Sequence, residues 1–86
     1  MPAKNGFITL EGVEGAGKSS QLAWIKDWLE QRKHSVVATR EPGGTSLAES
    51  IRSVLVDGDE MPAMTELLLM FAARSSHVEE KIRPAL

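Results

Sequence analysis

Hydrophobic positions along the chain fall into two kinds of run. Phe7-Ile8-Thr9-Leu10 is a short block of β-formers, and Ser35-Val36-Val37-Ala38-Thr39 is a second. Both read as strands of a buried parallel sheet. Between them, from Ser19 to Lys33, Leu22, Ile25 and Leu29 recur at helical spacing with Trp28 alongside. Regular structure breaks at Glu41-Pro42-Gly43-Gly44, where a proline and two glycines demand a turn. Ser46-Leu47-Ala48-Glu49 has capping-box spacing, and Leu47, Ile51 and Leu55 mark one face of a helix that Gly58 stops. Pro62 suits the first turn of a last helix, expected from about Ala63 to Arg83 and closed by Pro84. Strands alternating with helices predict an α/β domain with a parallel sheet flanked by helices.

Composition narrows the classes. With 86 residues the chain is one small domain or part of a larger one. Ten Lys and Arg stand against twelve Asp and Glu, so no basic face dominates and nucleic acid is a poor choice of partner. The absence of cysteine excludes disulfides and thiolate zinc sites and suits the cytosol. The start, MPAKNGFITLEG, lacks the apolar region of a secretory signal, and the Leu67–Ala73 run is too short to cross a bilayer. A soluble, cytoplasmic protein with no membrane partner is expected. His34 and His77 are isolated in sequence, which argues against a metal site. Asp57-Gly58-Asp59-Glu60 reads as a solvated turn, and Trp24 and Trp28 as a helix face that covers other structure.

One stretch carries chemistry. Gly12-Val13-Glu14-Gly15-Ala16-Gly17-Lys18-Ser19 fits G-x-x-x-x-G-K-[ST] without a mismatch, after a predicted strand and before a predicted helix. Glycines let successive backbone N–H groups turn inward onto phosphate oxygens. Lys18 supplies a point charge for β- and γ-phosphates and is the catalytic candidate, the Ser19 hydroxyl suits Mg²⁺, and the following helix directs its positive end at the same anion. All eight residues, Gly12 to Ser19, are therefore candidates for binding ATP. Such a loop alone does not separate GTPases, ATPases and small-molecule kinases.

The rest of the chain does. FITLEGVEGAGKSS, TREPGGTSLAESIRSVL and ELLLMFAARSSHVEEKIRPAL closely resemble, in order and spacing, the N-terminal part of bacterial thymidylate kinases, and the likeness runs from Phe7 to Leu86. The resemblance implies a P-loop nucleoside-monophosphate-kinase-like fold and transfer of the γ-phosphoryl of ATP to dTMP with Mg²⁺, giving dTDP and ADP, in a homodimer. It implies that Glu14 faces the acceptor nucleotide near its sugar hydroxyl, that Arg52 grips the dTMP phosphate, and that Arg74 donates to the thymine carbonyl. Arg40 either assists at the phosphate or anchors the Pro-Gly-Gly loop, and Glu41 is a candidate for positioning substrate or metal. Many family members carry a stacking aromatic four residues before the arginine that matches Arg74. Here that position is Met70, and Phe71 is the aromatic on the same helix side.

The resemblance also implies parts that this chain lacks. A metal-binding Asp-Arg pair on a further strand and a mobile lid follow later in the family. Gly12 to Ser19 contains no cation besides Lys18, which resembles the style in which the lid supplies a second one. The further strand lies between the first two in the family's sheet. Residues 1–86 are thus expected to be the N-terminal part of a single kinase domain, truncated after its third helix and inactive alone. The alternatives are another P-loop small-molecule or nucleoside kinase, or a nucleotide-binding module without catalysis.

Overall fold

The computed structural model describes residues 6–12 and 17–86. The chain divides into two compact units, Met1–Ala38 and Thr39–Leu86.

Among the described residues of the first unit there is one helix, α1 (Lys18–Gln31). Leu22, Ile25 and Leu29 form its half-buried stripe, as their spacing predicts, while Trp24 and Trp28 are exposed. The helix ends in a Schellman motif: the Lys33 N–H donates to the Glu30 carbonyl at 3.0 Å and the His34 N–H to the Leu29 carbonyl at 3.1 Å. Lys33 takes the left-handed conformation (φ 65°) in which glycine is usual. The Arg32 guanidinium lies 3.6 Å from the centre of the Trp28 ring and covers part of that exposed aromatic.

The predicted strands differ from the structure. Residues 7–10 and 35–39 carry no regular secondary structure, and no strand forms among the described residues. A strand exists through its ladder partners, and neighbouring strands lie about 4.8 Å apart. Without such partners among the described residues, neither segment forms a strand. Val36 and Ala38 are half-buried and Val37 between them is exposed, the alternation a pleat would show.

The second unit is helical: α2 (Ser46–Asp57), α3 (Ala63–His77), one π-helical turn (Val78–Ile82) and the short α4 (Arg83–Ala85). α2 packs on α3, and the buried apolar residues described are Ala48 and Ala73, whose small side chains let the two backbones approach. Ile51, Leu55 and Leu69 border them, half-buried. The buried stripe of α2 therefore runs through Ala48, Ile51 and Leu55. Leu47, expected on that face, is 58% exposed.

The start of α2 is offset by one residue from the predicted capping box. Thr45 is the N-cap, and its hydroxyl oxygen accepts from the Ala48 N–H at 3.0 Å. The chain of hydroxyls has one direction. Ser76 donates to the Glu80 carboxylate, which only accepts, so Thr45 must donate to Ser76 across 2.6 Å. The cap of α2 is thereby tied to the buried side of α3. The expected stop at Pro84 also shifts. α3 gives way at Val78 to the wider turn, in which the Arg83 N–H returns to the Val78 carbonyl, and Pro84 sits inside the last short helix. Proline offers no N–H to a carbonyl one turn back and its ring crowds that carbonyl, which a widened turn relieves. Met64, Leu67, Leu68, Met70 and Phe71 leave an apolar side of α3 exposed. No helix among the described residues is long and apolar enough to cross a membrane.

Candidate functional site

The glycine loop is seen at its two ends. Val13, Glu14, Gly15 and Ala16 lie outside the described residues. Gly17 is the N-cap of α1 with φ 78°, and none of the described residues lies within 4 Å of a Cβ built there. Backbone conformation, not crowding, favours glycine at this position. The Lys18 ammonium donates to the Gly12 carbonyl at 3.2 Å and so closes the loop's ends onto each other. No acidic residue occupies the first turn of α1, and no side chain caps it among the described residues. Lys18 and Ser19 are exposed at that positive helix end, an arrangement suited to an anion.

In the second unit the Arg40–Thr45 loop is organised by one carboxylate. Glu49, in the first turn of α2, accepts from the Gly44 N–H at 2.8 Å and from Arg40 through Nε at 3.2 Å and through Nη2. The Arg40 hydrogen bond, followed by that of Gly44, lowers the Glu49 pKa to about 2 against an opposing effect of burial. Arg52, one turn further along α2, donates from Nη1 to the Pro42 carbonyl at 3.0 Å. Both arginines are thus engaged with the loop, Arg40 through Glu49 and Arg52 directly. The Glu41–Pro42 peptide within it is cis.

This arrangement gives a pH prediction. The folded-state pKa of Glu49 is depressed, so its stabilisation is complete above the unfolded carboxylate pKa of about 4.3 and is lost as pH falls toward about 2. The stability gap between the parent and Glu49→Gln in the Thr39–Leu86 unit should therefore be constant near neutrality and shrink on the acid side. Urea unfolding across that range measures it. A gap independent of pH contradicts the role assigned to Glu49.

Glu41 joins the loop to α3. Its Oε1 accepts from Arg74, with Nε at 2.8 Å and Nη2 at 2.7 Å, and its Oε2 accepts from His77 Nδ1 at 2.9 Å. Partial burial acts against the Glu41 charge, but the hydrogen bonds from His77 and then Arg74 outweigh it and hold the pKa below the ordinary carboxylate value. The other ring nitrogen of His77 meets the Thr39 hydroxyl at 2.7 Å. Gly44 makes room for this group: a Cβ there would fall 2.3 Å from His77 Cδ2 and 2.5 Å from Thr39 Oγ1. Arg74 remains 62% exposed, and Met70 and Phe71 are exposed on the preceding turn.

Of the candidates from sequence, the structure brings Glu41 and Arg74 into an ion pair, ties Arg40 to Glu49, and bonds Arg52 of α2 to the Pro42 carbonyl of the loop. Reading by residue type passed over Glu49 and His77. A signal for His77 existed: it follows Arg74 by three positions on one helix and so shares its side. Glu49 was read as a capping-box partner, and its bond to a loop N–H depends on the turn's tertiary path.

Comparison with known proteins agrees with these motifs. A family model for thymidylate kinase matches residues 10–86. Among curated relatives, the thymidylate kinase of Alcanivorax borkumensis is 60% identical over 82 residues, covering 93% of this chain and 39% of the relative. Those of Thiobacillus denitrificans and Bordetella petrii are 55% and 56% identical, each over all 86 residues and 41% of the relative. The chain thus spans about two-fifths of the length of the relatives it matches.

Proposed function

Because the chain belongs to the thymidylate kinase family, we propose that it is the N-terminal part of an enzyme that transfers the γ-phosphoryl of ATP to dTMP. The observation that carries the reading is the Glu41–Arg74 pair. Glu41 binds Arg74 through Nε and Nη2 and leaves the Nη1 end of an exposed guanidinium to meet a ligand acceptor. A fixed cation with several donors reads the thymine carbonyl that cytosine replaces with an amine.

The roles divide between the units. In the first, the backbone of Gly12 to Ser19 holds the ATP phosphates, and Lys18 neutralises charge on the β- and γ-groups as the bond to the ADP oxygen breaks and the bond from a dTMP phosphate oxygen forms. Lys18 would exchange its present acceptor, the Gly12 carbonyl, for phosphate oxygens. Glu14 faces the sugar of the acceptor. The Ser19 hydroxyl would help to hold Mg²⁺ at the nucleotide phosphates, and the ion would supply charge neutralisation there. The described residues contain no cluster of three carboxylates or histidines that could hold a metal. In the second unit, Arg52 and Arg40 attract the dTMP phosphate, Glu41 positions Arg74, and Phe71, with Met70 beside it, offers an apolar surface to the base.

The complete enzyme is taken to be a cytoplasmic homodimer with a parallel sheet, in which residues 7–10 and 35–39 become strands once the intervening strand is present. Residues 1–86 form one part of a single kinase domain. Alone, this chain should bind ATP weakly and turn nothing over. The proposal is tested in a chimera in which this chain replaces the segment it matches in the Alcanivorax borkumensis relative. Release of ADP should depend on dTMP, with dCMP and AMP far poorer acceptors. Preference for AMP or dCMP would overturn the assignment in favour of another nucleoside kinase.

A further inference from the structure

The buried side of α3 holds a polar group to which the proposed chemistry gives no part. His77 is 2% exposed, and both its ring nitrogens are engaged, Nδ1 with Glu41 Oε2 at 2.9 Å and Nε2 with Thr39 Oγ1 at 2.7 Å. An ionised carboxylate accepts only, so Nδ1 carries the hydrogen. In the neutral ring Nε2 then accepts, and the Thr39 hydroxyl donates to it. The second Glu41 oxygen takes Nε and Nη2 of Arg74. The carboxylate is therefore pinned from two sides by residues one helical turn apart on α3. One is a ring locked in the interior, and the other is a long, largely exposed side chain with many rotamers. Without the ring, Glu41 and Arg74 would still pair but would move together, and the guanidinium would lose its fixed direction.

We propose that His77 is a positioning residue: through Glu41 it fixes the Arg74 guanidinium, and so it sets how sharply the site separates a thymine carbonyl from the amino group of cytosine. This rests on the role given to Arg74 above. Thr39 belongs to the same device, since its hydroxyl donates to the Nε2 that the Nδ1–H tautomer leaves as an acceptor and so holds the ring from its other side. Gly44 is the position that admits the ring, because any Cβ there would occupy its space.

The test uses the chimera with dTMP and dCMP as acceptors. His77→Phe fills the ring's volume and removes both hydrogen bonds, whereas His77→Asn keeps an amide donor near the place of Nδ1. His77→Phe should raise KM for dTMP about tenfold and lower the preference for dTMP over dCMP by a similar factor, the scale expected when a buried hydrogen-bonding partner is lost. Its kcat should change much less, and His77→Asn should recover most of the loss. If His77→Phe fails to fold, His77→Gln replaces it, since Gln keeps only the group that faces Thr39, and Asn must then outperform Gln. A purely structural histidine would reduce the yield of folded enzyme and leave KM and preference unmoved, which overturns the proposal, as does an Asn variant no better than Phe or Gln. Arg74→Lys run in parallel separates the two levels. If it raises KM while the His77 variants do not, the positioning role is wrong and the reading of Arg74 stands. If Arg74→Lys itself changes neither KM nor preference, the reading of Arg74 is wrong and the positioning role falls with it.

Discussion

Gly44→Ala is expected to destabilise the Thr39–Leu86 unit by about 2–5 kcal/mol. Two costs add. Gly44 has φ 91°, where an L side chain costs about 1–2 kcal/mol. The new methyl would also lie 2.3 Å from the His77 ring and 2.5 Å from the Thr39 hydroxyl, and overpacking of that kind costs about 1–3 kcal/mol. Neither neighbour can step aside cheaply, because His77 is held at both nitrogens and buried. A unit whose buried apolar side chains are chiefly alanines has little stability to lose. Amide hydrogen exchange should show α2 and α3 losing most of their protection. Gly6→Ala is the matched control, since nothing lies within 4 Å of a Cβ there, and it should leave protection unchanged. Equal behaviour of the two variants contradicts the close packing of Gly44 on His77.

Lys18→Ala should lower kcat of the chimera by about a thousandfold, the scale found when a preorganised group that meets developing charge is removed. Binding of ATP should suffer less, because the backbone N–H groups of the loop and the positive end of α1 remain to hold its phosphates. The ammonium's contact with the Gly12 carbonyl also makes Lys18 a link between the two ends of the loop. Lys18→Arg should rescue poorly, since the planar, forked guanidinium cannot occupy the place of a compact ammonium. Steady-state assays with ATP and dTMP measure both variants. A loss below about tenfold for Lys18→Ala would mean that the phosphates are held elsewhere.

Local signals were the legible part of this chain. The helix over Lys18–Gln31 follows from Leu22, Ile25 and Leu29, and the turn at Glu41–Gly44 follows from proline and glycine, because both are written within a few residues. What went astray depended on distant partners. The cap of α2 fell on Thr45 rather than Ser46 because its hydroxyl also reaches Ser76, which recruits it to the α2–α3 contact. Ala48 displaced Leu47 from the buried stripe because the helix packs at a close approach that suits a methyl group. The two strands were read from side chains alone, and a strand is completed by backbone partners that a pattern of residues does not contain.

The site divides in the same way. The glycine loop and the family-specific Arg40-Glu41-Pro42-Gly43-Gly44-Thr45 motif were visible as words in the sequence. Their supports were not. His77 looked isolated because its partners, Thr39 and Glu41, lie 38 and 36 positions away. Glu49 looked like a helix cap because the Arg40 and Gly44 groups it binds come together only when the loop turns.

The most direct test of the account is the fate of the γ-phosphoryl group. ATP labelled in that group, incubated with dTMP, Mg²⁺ and the chimera carrying this chain, should yield label in dTDP in amounts equal to the ADP formed. Label that stays in ATP, passes to inorganic phosphate alone or appears in another acceptor nucleotide would contradict the assignment of this chain to dTMP phosphorylation.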